Sequence, residues 1–128
     1  MTGRAMVAIG AALGAIAVAL GAFGAHGLRA RLGVEQLGVY ETAVRYHFYH
    51  ALALVLVGLL TLQREAAGAA SAGTAAAAWC FVAGIAIFSG SLYLLTLTGQ
   101  AWLGAVTPIG GLAFIVGWIL FARAGLAR

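Results

Sequence analysis

The stretch Ala5-Met-Val-Ala-Ile-Gly-Ala-Ala-Leu-Gly-Ala-Ile-Ala-Val-Ala-Leu-Gly-Ala-Phe-Gly-Ala25 contains no ionisable side chain. At 1.5 Å per helical residue it reaches about 30 Å, the thickness of a bilayer's hydrocarbon core. Three more apolar stretches follow, and the set reads as spans at about residues 5–26, 46–63, 74–97 and 103–123. The second is long enough only if His47 and His50 sit at the headgroup level. Backbone polar groups in hydrocarbon must be satisfied within their own segment, so these stretches predict helices. The expected fold is all-α: one transmembrane domain, residues 1–128, forming an integral membrane four-helix bundle.

Composition agrees. Hydrophobic residues make up 64% of the chain and charged residues 8%, too few charges to keep a water-soluble domain of this size dispersed. The net charge of +4 comes from seven arginines without a lysine. They are scattered singly between apolar runs and form no patch, which excludes nucleic-acid binding and suits anchors among lipid headgroups. The bilayer is thus the first expected partner. Cys80 lies alone inside an apolar run and reads as a small buried hydrophobe. Residues 4–25 loosely fit a secretory signal, but the apolar run is longer than a usual signal core, so a retained first span is expected.

The connection from Leu28 to Arg45 mixes Arg29, Arg31, Glu35, Glu41 and Arg45 with leucine, valine and tyrosine. An interfacial amphipathic helix between spans one and two, or a helical extension of span two, fits it. Residues 98–102 make a short uncharged turn between spans three and four. Four spans put both termini on one side, and the bare turn favours a cytoplasmic placement for them. Tyr46, Tyr49 and Trp102 are expected to mark one interface, Trp79 and Trp118 the other.

The 19 glycines exceed what turns require. Gly10, Gly14, Ala17, Gly21 and Gly24 form one stripe of span one, where bare backbone lets another helix approach. Gly73, Ala77, Cys80, Gly84 and Ser91 repeat the device in span three, as do Gly110, Ala113 and Gly117 in span four. Span two, rich in leucine and valine, is expected to face lipid. These stripes pack the monomer or a homo-oligomer.

Chain direction places His26, Glu41, His47, His50, Ser89, Ser91, Tyr93, Thr107 and Pro108 in the half of the bilayer away from the termini. His47 and His50 share a helix face, and His26 ends the neighbouring helix. Three imidazoles at one level can bind a metal or haem, although the carboxylate partners of familiar helical sites are missing. Headgroup-level histidines bonded to water or helix ends are the simpler reading. No base accompanies Ser89 or Ser91, so hydrolysis is not expected and the chain is not read as an enzyme. Pro108 reads as part of the first turn of span four, where it forfeits no hydrogen bond.

Residues 21–28 (Gly-Ala-Phe-Gly-Ala-His-Gly-Leu), 40–47 with His50-Ala-Leu52, 88–93 and 103–111 resemble the motifs of the YgdD/YwdK-like family. Its members are small bacterial membrane proteins of unknown function, with a similar small eukaryotic transmembrane protein. The resemblance implies four helices in the bacterial inner membrane and carries no substrate, cofactor or catalytic residue with it. Three functions remain in view: a structural or assembly partner for itself or another membrane protein; a small-solute carrier using the Ser89, Ser91 and Thr107 hydroxyls; and a metal or haem module built on His26, His47 and His50. The first is favoured, because no charged residue lies at mid-span where ion and proton paths usually have one. No cofactor is expected.

Overall fold

A computed structural model describes residues 1–70 and 72–126, the side chain of Ala72 excepted. Its helices are α1 (Gly3–Phe23), α2 (Val34–Ala66), α3 (Ala72–Gly84), α4 (Gly90–Thr98) and α5 (Leu103–Leu126). A π turn, Gly24–Leu28, extends α1, and a second, Ile85–Ser89, joins α3 to α4. Four segments are therefore long and apolar enough to cross a membrane: Gly3–Leu28, Val34–Ala66, Gly73–Thr98 and Leu103–Leu126. The described residues contain no strand. We call the ends joined by residues 29–33 and 99–102 the loop side, and the opposite ends the termini side.

α2 is the hub. α1 lies along one flank of it, and the α3–α4 segment, backed by α5, covers the other. In α1 the buried positions Gly3, Gly10, Ala17 and Gly24 fall seven residues apart, with Met6 between the first two. That is the repeat of a left-handed helix pair. A methyl group added at Gly10 would lie 2.9 Å from the Ala51 carbonyl, and one at Gly3 would lie 2.8 Å from the Gly58 carbonyl. Backbone thus meets backbone where lipid gives no hydrophobic incentive to associate. Gly14 and Gly21 flank this seam and are only half-buried. Ala8, Ala11, Ala12, Ala15, Ala19 and Ala22 point outward.

The second pair, α3 with α5, is joined by rings seated on glycines. Phe114 covers Gly84, Phe81 covers Gly117, and the backbone of Phe88 rests on Gly110. The same device recurs across the first pair, where the Tyr40 ring covers Gly24.

Several expectations are corrected. Span two does not face lipid. Ala43, His47, His50, Ala51, Ala53, Leu54, Val57, Gly58 and Thr61 are all buried, and its larger residues Leu52, Leu56 and Leu59 point out. Helix position is set by small and polar residues on two faces, which mean apolarity does not register. Of the two readings of the loop-side connection, the helical extension of span two is the one that forms, and the separate interfacial helix does not. Nothing interrupts the helix after Val34, and Tyr40 and Ala43 bury against neighbours there. At about 50 Å, α2 is longer than the roughly 30 Å of a hydrocarbon core. Pro108 sits inside α5, which begins at Leu103. It deprives the Gly104 carbonyl of its i+4 donor. The turn before α5 forms as expected, with α4 stopped by Gly99 at φ 71°.

On the termini side, polar groups fasten the helix ends. Glu65 Oε1 accepts the Gly3 N–H at 3.1 Å. Arg64 Nη1 donates to the Ala124 carbonyl at 2.6 Å, and its Nε donates to the Ala70 carbonyl at 3.2 Å. The close seam gives a direct test. Gly10→Val should destabilise the protein in detergent by about 1–3 kcal/mol, through overpacking. Gly38→Ala, where an added methyl meets nothing within 4 Å, should be neutral or stabilising by up to about 1 kcal/mol. Unfolding midpoints of the two variants against the parent check this.

Candidate functional site: an aromatic groove held by His50

His50 lies midway along α2 and is buried. A carbonyl oxygen can only accept, so the 2.7 Å contact with the Tyr46 carbonyl puts the proton on Nδ1. Nε2 is then an acceptor, and the Trp118 Nε1–H of α5 donates to it at 3.2 Å. Both ring nitrogens of a neutral imidazole are satisfied. The ring also lies flat on Phe114, with centroids 3.4 Å apart and planes 9° from parallel. Tyr46 stacks on Phe88 at 4.7 Å, and Trp118 meets Phe81 edge-on at 5.3 Å.

These rings wall a groove between α2 and α5 whose floor is Phe88, on the π turn. Its volume is about 810 Å³, it opens sideways, and Pro108 and Gly111 line its loop-side part. The wide π turn and the proline are both departures from α-helical bonding, and they stand on either side of the opening.

The sequence-selected polar residues divide into separate groups. His47 Nδ1 pairs with the Tyr93 hydroxyl at 3.1 Å, while His50 turns to α5. Ser91 Oγ and Thr107 Oγ1 are 2.7 Å apart. Ser91 also reaches the Phe88 carbonyl at 2.9 Å, and Thr107 the Leu103 carbonyl at 3.2 Å. Two hydroxyl protons serve these three contacts, so one of the three goes without a proton. His47 Nε2 and Ser89 Oγ are buried without a hydrogen-bond partner. His26 is exposed on the first π turn, and its Nδ1–H donates to the Ala22 carbonyl at 3.0 Å. Glu41 is exposed and pairs with Arg45 at 3.5 Å.

His26, His47 and His50 therefore do not converge. Among the described residues no three histidine, cysteine or carboxylate side chains stand close enough to hold a metal ion. His47 and His50 are both buried within the bundle. Trp118 belongs beside His50 and does not mark the termini-side interface. The groove's ring walls escaped sequence reading, as did the Tyr40 hydroxyl bond to the Leu20 carbonyl at 2.8 Å. One signal was available: the glycines of spans three and four make room for large rings such as Phe81 and Phe114.

Fold and groove together define a small four-span helical membrane protein with a lateral apolar opening. Residues 20–111 match the family model described as a protein of unknown function, DUF423. The chain is 43% identical over 123 residues to the UPF0382 membrane protein YwdK of Bacillus subtilis, covering 96% of this chain and 97% of the relative. It is 44% identical over 117 residues to the UPF0382 membrane protein SAB0533 of Staphylococcus aureus, covering 91% of each. No solved structure matches significantly. The chain belongs to the DUF423 family of UPF0382 membrane proteins.

Trp118→Phe strands His50 Nε2 and should lower stability by about 1 kcal/mol. Adding His50→Phe removes the stranded acceptor and should restore part of that loss. A double-mutant cycle on detergent unfolding midpoints measures the coupling.

Proposed function

We propose that this protein is a non-enzymatic assembly partner of the bacterial inner membrane, with both termini cytoplasmic, whose groove receives bulky apolar side chains from a helix of another membrane protein. One observation carries the reading: the imidazole and indole nitrogens of the groove are turned inward onto each other and fix its rings. His50 is bonded through both nitrogens, one to Tyr46 and one to Trp118, and stacked on Phe114. A surface that meets only fluid acyl chains has no need of a fixed shape, whereas a preformed concavity lowers the ordering cost of a specific partner. At about 810 Å³ the groove has room for a row of side chains from a helix. A solute path would need polar groups directed into an opening, and the hydroxyls of Ser91 and Thr107 face each other instead.

Photo-reactive residues placed at Leu112 and Ile115 in the groove, and at Ile16 on the outer face of α1, test this in living cells. A discrete protein adduct is expected from the first two and not from Ile16. Gly111→Trp should abolish it, because an added Cβ there meets only the Phe88 ring at 3.7 Å and a larger side chain fills the opening. Adducts with lipid alone would refute the proposal. An adduct of twice the chain's own mass would assign the groove to self-association.

A further inference from the structure

The termini side carries a second cavity, independent of the groove. It has a volume of about 380 Å³ and is lined by Arg64 of α2, by Gly73 and Thr74 in the first turn of α3, and by Leu120, Arg123 and Ala124 of α5. Among the described residues no carboxylate lines it. The chain has three acidic residues. Glu35 and Glu41 belong to the loop-side end of α2, and Glu65, beside Arg64, is turned away onto the Gly3 N–H of α1. Two guanidinium groups thus share one recess without an acidic counterpart among the described residues.

The two arginines are held differently. Arg64 gives Nη1 to the Ala124 carbonyl and Nε to the Ala70 carbonyl, which fixes its guanidinium plane. Of the five N–H donors that an arginine carries, three remain for another acceptor. Arg123 makes no hydrogen bond or ion pair among the described residues and is exposed at the cavity edge. The recess lies between the ends of membrane-spanning segments, where phospholipid headgroups lie, and Leu120 continues its wall toward the apolar part of α5. Basic recesses between spanning helices recognise phosphate-bearing headgroups, and guanidinium donors match phosphate oxygens in geometry and charge.

We propose that the recess between Arg64 and Arg123 holds the phosphate of an anionic phospholipid, with Arg64 as the fixed donor and Arg123 closing over the headgroup. A zwitterionic headgroup fits less well, because its ammonium group finds no carboxylate in the recess. Fastening of α2, the loop after it and the end of α5 by Arg64 would then be reinforced by bound lipid.

Native mass spectrometry of the intact protein in detergent, titrated with phosphatidylglycerol or phosphatidylcholine, tests the site. Retention of phosphatidylglycerol should exceed that of phosphatidylcholine several-fold. R123Q should lower phosphatidylglycerol retention about fivefold, whereas R4Q, on the same side but outside the recess, should leave it unchanged. Arg123 has no bond among the described residues to lose, so this variant keeps the test valid even if R64Q fails to fold. Excess inorganic phosphate should not displace the lipid. Displacement by phosphate would assign the recess to a free anion and overturn the lipid assignment. Equal retention of the two lipids, or equal effects of R123Q and R4Q, would overturn the site itself. None of these outcomes depends on what occupies the groove.

Discussion

A hydrogen-bonding group placed among hydrocarbon chains must find its partner inside the protein. His50 is where this chain meets that requirement most fully. Its imidazole stands halfway along the central helix, gives one proton to its own helix at Tyr46, and takes one from Trp118 of α5. It ties α2 to α5 at mid-helix, as Arg64 does at the termini side, between two helices that otherwise touch little. The opening between them exists because the link is made through rings held apart at a fixed distance and not through side chains closing the gap. The Phe114 stack and the Tyr46–Phe88 stack follow from the same arrangement.

Glycine provides the complementary constraint. Without a hydrophobic drive between helices, association depends on contact area and on backbones that come close. Gly3, Gly10 and Gly58 bring α1 against α2 backbone to backbone, whereas Gly84, Gly110 and Gly117 make room for phenylalanines between α3, the second π turn and α5. The first seam is thin and regular and the second is built of sockets. The larger concavity lies beside the second, because rings cannot close a surface as evenly as bare backbone does.

Much of this was legible beforehand. Long uncharged runs gave the all-α, four-span architecture, and the small-residue spacing of α1 pointed to a packed seam. Gly10, Ala17 and Gly24 are indeed buried, although Gly3 and Gly58 escaped notice. Hydropathy failed at α2 for a physical reason. It treats histidine and tyrosine as markers of the water interface, yet a neutral histidine with both nitrogens paired sits well inside a bundle. The same assumption misplaced Trp118. Periodicity could not show the π turn at Ile85–Ser89, which redirects the residues after it, nor that α5 begins before Pro108. Grouping His26, Glu41 and His47 by half-membrane also overstated their proximity, since depth alone leaves the direction around each helix undetermined.

The two ends of the molecule therefore differ in kind. The loop-side half and centre hold a rigid apolar opening, and the termini side holds a basic recess beside an arginine that fastens three segments. The account rests most directly on the protonation pattern of His50. Nitrogen-15 spectra of the histidine side chains in lipid bilayers at neutral pH would read it. The account predicts a neutral ring, protonated at Nδ1, with Nε2 unprotonated and coupled to the Trp118 indole proton. An imidazolium, or a ring protonated at Nε2, would contradict it.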